Sequence, residues 1–230
     1  IQRMPVSTTS PYTADQIPVP MADRLSRAMA PIRLQVQSEG ADIPATVHLL
    51  DVLGVKDVED LDLQSYWESN NPYRSMAVPV GKRTGGKLQY LDLHERRGAP
   101  DLESGHGPNA LVAGTVGSGK SELLQSLVAS LAVHFHPHQV AFILLDFKPP
   151  GMAEVLSSLP HVVNVIDLNE LDLVPRALQS LEAELARRGR LCKQAGVTHI
   201  DDYMERHRQN DDRAAELLPY LVLIVDEFTV

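Results

Sequence analysis

Apolar positions change their rhythm twice along this chain, and the changes divide it into segments. Residues 1–20 carry Pro5, Pro11, Pro18 and Pro20 among small polar residues. That predicts an extended arm, because proline lacks a ladder donor and disfavours helix at the residue before it. Helical spacing follows at Met21, Leu25, Met29 and Ala30 up to Pro31, and again around Ala45–Leu53, closed by Gly54. The acidic run Asp57–Asp62 predicts a solvated face leading into Trp67, which is expected to tether this arm to the rest. From Met76 the period shortens: Ala77–Val80 and Leu88–Leu93 flank Gly85–Gly86 and predict a hairpin.

Beyond the hairpin, strand and helix patterns alternate. The apolar run Asn109–Gly114 reads as a strand, and Ser121–Phe135 carries Leu123, Leu124, Leu127, Val128 and Leu131 at helical spacing. Val140–Asp146 and Val162–Ile166 read as buried strands. Val174–Leu191 is a long amphipathic helix with Val174, Ala177, Leu178, Leu181, Leu185 and Leu191 on one stripe. Thr198–Arg208 predicts a shorter helix capped by Thr198, and Leu221–Val225 a final strand. Near-continuous apolar strands alternating with helices predict an α/β fold whose mostly parallel sheet is covered on both faces. The expected division is an N-terminal arm with short helices over 1–70 and an α/β domain over 71–230.

Composition narrows the setting. The 230 residues hold one cysteine, which excludes an intrachain disulfide framework and fits a reducing compartment. A formal net charge of −9 argues against wholesale coating of nucleic acid. No apolar stretch approaches the roughly 20 residues that span a bilayer. With Ile1 first and Val230 directly after an apolar run, the chain is expected to be a piece of something larger.

The chemistry concentrates in Gly114–Thr115–Val116–Gly117–Ser118–Gly119–Lys120–Ser121, a match to G-x-x-x-x-G-K-[ST]. Its glycines allow backbone conformations closed to side chains and bring N–H groups up to phosphate oxygens. The helix that follows offers its positive end to the same anion. Lys120 is placed to reach the β- and γ-phosphates of ATP, Ser121 is the expected Mg²⁺ ligand, and Glu122 completes the nucleotide-binding segment. At average glycine usage, the four fixed positions arise by chance in about 1% of chains this long. The second element is Leu221-Val222-Leu223-Ile224-Val225-Asp226-Glu227, which puts two carboxylates at the end of a strand, where open α/β sheets bind ligands. Asp226 is expected to hold Mg²⁺, directly or through water, and Glu227 to orient and deprotonate the attacking water.

Other groups carry weaker expectations. His134 and His138 sit at metal-ligand spacing, but Pro137 interrupts them, so a helix C-terminus whose dipole favours imidazolium is the expectation. Asp146 and Lys148 end a strand beside the site, and either reach the magnesium shell or are ordinary strand-end residues. Arg187, Arg188 and Arg190 predict a solvated helix face, with an intersubunit contact as the alternative. Cys192 is expected to pack as a small apolar residue.

These residues resemble the FtsK/SpoIIIE-type ATPases. The resemblance runs through Gly114–Leu124, Val140–Lys148, Gly151–Met152, Leu159–Pro160–His161 and Val225–Phe228. It is most similar to the ATPase of type VII (ESX-like) secretion systems, the EccC/EssC group, in its first ATPase domain. Asn71–Pro72–Tyr73, Val78–Gly81, Leu91–Glu95, Glu184–Leu185, Arg187–Arg188 and His199–Ile200 look like that group as well. The resemblance implies a RecA-like P-loop ATPase module on a chain anchored at the cytoplasmic side of the membrane, working as a hexameric ring with membrane components on secreted protein substrates. It implies ATP and Mg²⁺ as cofactors and an arginine from a neighbouring subunit, in a segment after the Asp-Glu strand. Hydrolysis by this piece alone is therefore expected to be weak, and the domain to be truncated after that strand. Pro149–Pro150 stand where the family usually has glycines, which removes two backbone donors from that loop. A DNA translocase of the same superfamily and an ATP-binding clamp without turnover are the alternatives. The charge leans against DNA as cargo.

Overall fold

A computed structural model describes residues 18–21, 23–24, 46–94, 107–146, 151–167 and 173–226. The chain forms two units, Ile1–Glu39 and Gly40–Val230. In the first, residues 19–21 and 23–24 are helical. Most of the helix predicted over Met21–Ala30 lies outside the described residues.

In the second unit, α1 (Leu49–Leu53) ends on Gly54, whose φ of 76° supplies the left-handed turn that side chains resist. The acidic run is structural as well as solvated. Asp57 and Asp60 cap one short turn reciprocally, and Asp62 accepts the Ser65 N–H at 3.1 Å to start α2 (Leu63–Ser69). The hairpin forms as predicted: β1 (Ala77–Lys82) pairs antiparallel with β2 (Leu88–Asp92) around Gly85 and Gly86, both at positive φ. Asp92 closes its open end by accepting the Met76 and His94 N–H groups at 2.9 and 3.0 Å.

Three further strands, β3 (Val140–Asp146), β4 (Val162–Asp167) and β5 (Tyr220–Asp226), form a parallel sheet in the order β4-β3-β5. The alternating chain produces the parallel sheet it predicts, because each return to the same end needs a helical crossover. Those crossovers are α4 (Met152–Leu156) between β3 and β4, and α5 (Leu173–Gln194) with α6 (Ile200–Arg208) between β4 and β5. Helix α3 (Lys120–His134) precedes β3 and buries Leu127, Val128, Leu131 and Ala132 against Val140, Phe142, Leu144 and Ile224 of the sheet.

Three expectations need correction. The run Asn109–Gly114 has strand composition but forms no strand among the described residues, and Leu111 is 91% exposed. Composition alone does not make a strand: it also needs a ladder partner, and this run pairs with none of the described strands. The stripe on α5 is only partly covered. Val174 and Ala177 pack on Leu145 and Ile166, whereas Leu178 and Leu185 are 52% and 70% exposed. Finally, α6 starts at Ile200 rather than Thr198, with the His199 ring accepting the Asp201 N–H as its cap.

Helix α2 lies against the C-terminal end of α3. Trp67 Nε1 donates to the Ala132 carbonyl at 3.1 Å, and Asn70 Nδ2 to the His134 carbonyl at 3.2 Å. Here burial, not the helix dipole, governs the histidines. It pushes His134 and His161 below the usual imidazole range, each against a hydrogen bond to a carbonyl, Ser130 and Phe135 respectively, at 2.7 Å. The dipole was expected to favour imidazolium at His134; desolvation outweighs it. Because the unfolded chain takes up these protons first, stability should be complete above about pH 6.5 and decline as pH falls below it. Urea unfolding at pH 7.5 and 5.5 should show the lower midpoint at 5.5. His161→Gln should flatten that dependence, by up to about 1.4 kcal/mol per pH unit.

Candidate nucleotide site

Residues 111–119 form an exposed loop running into α3. Gly119 stands at the helix start with φ 87°, and Gly117 has φ 77°. Nothing lies within 4 Å of where a Cβ would sit on either glycine, so the demand is conformational rather than steric. Gly114 differs: a Cβ there would meet Ser118 Oγ at 2.5 Å and Lys120 Cγ at 3.6 Å, inside the hollow of the loop. The first intrahelical bond runs from Leu123 N–H to the Gly119 carbonyl at 2.9 Å. The N–H groups at the start of α3 precede any intrahelical acceptor and are available to an anion. Lys120 Nζ donates to the Thr115 carbonyl at 3.1 Å, folding its own loop into a closed cradle. Thr115, Val116 and Ser118 are exposed around that cradle, Ser121 is half-buried in the first turn and Glu122 faces solvent beside it. The exposed loop, its glycines and Lys120 fit a polyphosphate.

The carboxylates come from the sheet. Asp226 ends β5 and Asp146 ends β3, in one register row and each 5% exposed. Asp167 ends β4 in that same row. The turn 135–139 returns the chain from α3 into β3, so the two elements run in opposite directions. Helix α3 is about 22 Å long at 1.5 Å per residue, and β3 about 23 Å at 3.3 Å per residue. The phosphate loop therefore belongs to the carboxyl end of the strands, the end that carries Asp226. Glu227, Lys148 and Pro149–Pro150 lie outside the described residues. Among the described residues, no group of three His, Cys, Asp or Glu side chains could hold a metal ion. A nucleotide-bound Mg²⁺ needs only one or two protein ligands, the rest being phosphates and water.

Residues 61–229 match the FtsK/SpoIIIE family. The chain belongs to that family. It is 43% identical over 186 residues to the type VII secretion system protein EssC of Staphylococcus aureus, an alignment covering 81% of this chain and 12% of EssC. Among solved structures, the cytoplasmic domain of the Thermomonospora curvata type VII secretion ATPase EccC matches with a TM-score of 0.70 and 30% identity, over 81% of this chain and 21% of that one. A second structure, T. curvata EccC (ATPases 2 and 3) in complex with a signal sequence peptide, matches with a TM-score of 0.53 and 28% identity, over 66% of this chain and 26% of that one. The chain thus spans a small part of the proteins it matches. Its fold is that of the RecA-like P-loop ATPases, and it is homologous to type VII secretion ATPases.

In this FtsK/SpoIIIE domain, Arg190 of α5 is exposed as expected, but Arg187 and Arg188 depart from a solvated face. Arg187 and Arg188 both hold Glu184, at 2.7 Å, and Arg188 Nη1 also donates to the Pro219 carbonyl at 2.6 Å, one residue before β5. The Arg187 hydrogen bond, aided by Arg188, holds the Glu184 carboxyl at about 2. Cys192 packs partly buried beside Tyr203 and Met204, and burial pushes its thiol up.

Spacing alone did not reveal a hub at Asp201, whose carboxylate accepts the Tyr220 hydroxyl and lies 3.1 Å from His94 Nε2. Tyr73, stacked on Tyr220 with centroids 5.5 Å apart, is pushed up to about 12 by burial and the Asp201 charge. These partners are separated by up to 107 positions, beyond any periodic signal.

Because a Cβ on Gly119 would meet nothing within 4 Å while φ stays at 87°, Gly119→Ala tests the backbone conformation of the cradle without a clash. Strain of about 1–2 kcal/mol should reshape the loop and weaken binding of a fluorescent ATP analogue about tenfold or more, with the circular dichroism spectrum unchanged.

Proposed function

We propose that this chain is the ATP-binding and hydrolysing motor domain of a membrane-anchored secretion ATPase that drives export of protein substrates. What supports the reading is the loop with Gly117 and Gly119 at positive φ and Lys120 folded onto it, at the start of a helix antiparallel to the strand whose end pairs with Asp226, in a chain 43% identical to EssC. Bound Mg²⁺·ATP supplies a phosphoanhydride bond whose hydrolysis releases work. Backbone N–H groups from Gly114 to Glu122, together with Lys120, hold the phosphates, and Lys120 leaves the Thr115 carbonyl to do so. Ser121 and Asp226 share the magnesium. Glu227 orients the attacking water and takes its proton.

As partners, further copies of the chain in a hexameric ring, membrane components of the secretion machinery and secreted proteins follow from this reading, at the cytoplasmic side of the membrane. Among the described residues, no helix is long and apolar enough to cross a membrane. A peptide cargo is favoured over DNA by the solved EccC structure in complex with a signal sequence peptide and by the net charge of −9.

Two variants test it. Lys120→Ala should abolish most of the binding of a fluorescent ATP analogue; unchanged affinity would remove the phosphate-loop assignment. Glu227→Gln in the full-length protein should lower kcat by about two to four orders of magnitude while nucleotide binding persists, and export should stop with it. Export that survives without hydrolysis would favour an ATP-binding clamp. DNA-stimulated turnover would favour a DNA translocase.

A further inference from the structure

We propose that Asp146 is a positioning residue of the nucleotide site, seating the chain at 151–153 against the sheet edge on which Asp226 stands. The inference rests on the reading of that edge as the magnesium side of an ATP site.

Asp146 is the last residue of the central strand and is 5% exposed. A carboxylate so buried is costly unless its oxygens are engaged. Oδ2 accepts the Ala153 N–H at 3.2 Å, in the first turn of α4. Gly151 then closes over the group. A Cβ on Gly151 would lie 2.1 Å from Oδ2 and 2.7 Å from both Cγ and Oδ1.

The backbone there is extended, with φ −133° and ψ −161°, which any residue can adopt. Glycine is required at this point for room alone. Any side chain at 151 must push either the carboxylate out of its row beside Asp226 or residues 151–153 off the edge. Asp146 and Ala153, seven positions apart, are thus tied to each other beside the register position where Asp146 stands opposite Asp226. Asp146 shapes the site by holding the backbone through Oδ2.

Position and charge separate by substitution in the full-length protein. Gly151→Ala keeps the charge and disturbs the seat. Asp146→Asn removes the charge but keeps an oxygen for the Ala153 N–H. Asp146→Ala removes both. Three readouts apply: hydrogen exchange of the 151–156 amides without nucleotide, the gain in affinity for a fluorescent ATP analogue on adding Mg²⁺, and kcat against KM for ATP.

Gly151→Ala and Asp146→Ala should speed exchange about tenfold, the loss of one well-held hydrogen bond. They should also reduce the Mg²⁺-dependent gain in affinity and lower kcat, with KM little changed. Asp146→Asn should stay near wild type in all three. Wild-type exchange and Mg²⁺ response in Gly151→Ala would overturn the proposal, as would Asp146→Asn behaving like Asp146→Ala, which would make the charge itself the active feature. Should Asp146→Ala fail to fold, Gly151→Ala against Asp146→Asn decides alone. Lys120→Ala separates the two levels. If it leaves ATP binding unchanged, the nucleotide site falls and this role falls with it. If binding depends on Lys120 but ignores Gly151→Ala, only the positioning role is wrong.

Discussion

Strand β3 has no free edge, and both its faces are built over. Its backbone is paired on one side to β4 and on the other to β5, from Val140 opposite Tyr220 to Asp146 opposite Asp226. One of its faces packs under α3 and the other is partly covered by the first turns of α5. A one-residue slip in a sheet exchanges the faces of every side chain. Here that would drive Phe142 and Leu144 out of the core and take Asp146 out of the row it shares with Asp226. The hydrophobic burial of β3 therefore fixes the level at which the carboxylates end, and the register of a core strand becomes the geometry of the site.

The same dependence runs through α3. Its apolar stripe must meet the sheet, and the short turn 135–139 makes it antiparallel to β3. Once the stripe is seated, the helix start has only one place to be, at the carboxyl end of the strands. The loop before it is free of packing constraints, exposed from residue 111 to residue 119. A phosphate cradle benefits from that freedom, since its backbone must face a ligand rather than a neighbour.

What could be read from the chain follows from how local each signal is. The hairpin, β3, β4, β5 and α3 announced themselves through period and composition, and their ends came within a residue or two. The phosphate loop was legible because its requirements lie inside eight consecutive residues: positive φ at Gly117 and Gly119, a cation at 120 and a hydroxyl at 121. Asn109–Gly114 was misread because its composition is that of a strand, and pairing depends on an edge that composition does not report. The exposure of Leu178 and Leu185 has a similar origin. A moment describes one helix, whereas coverage depends on how far the neighbouring sheet extends beneath it.

Ionic features were the least legible, and their physics explains why. Arginines at 187, 188 and 190 on a helix look like a solvated patch until a carboxylate on the same face is included, and Glu184 sits one turn before Arg187 and Arg188. The network then reaches beyond the helix, through Arg187 to Glu216 and through Arg188 to the Pro219 carbonyl. Asp201 likewise receives Tyr220, the first residue of β5. Both attachments fall at the amino end of the strand whose other end carries Asp226. Exposed ion pairs contribute little to stability, but these attachments are partly buried and gripped by backbone or hydroxyl partners. Their consequence is directional: with its start held by Arg188 and Asp201 and its length paired to β3 as far as Asp226, β5 presents that carboxylate at a fixed level.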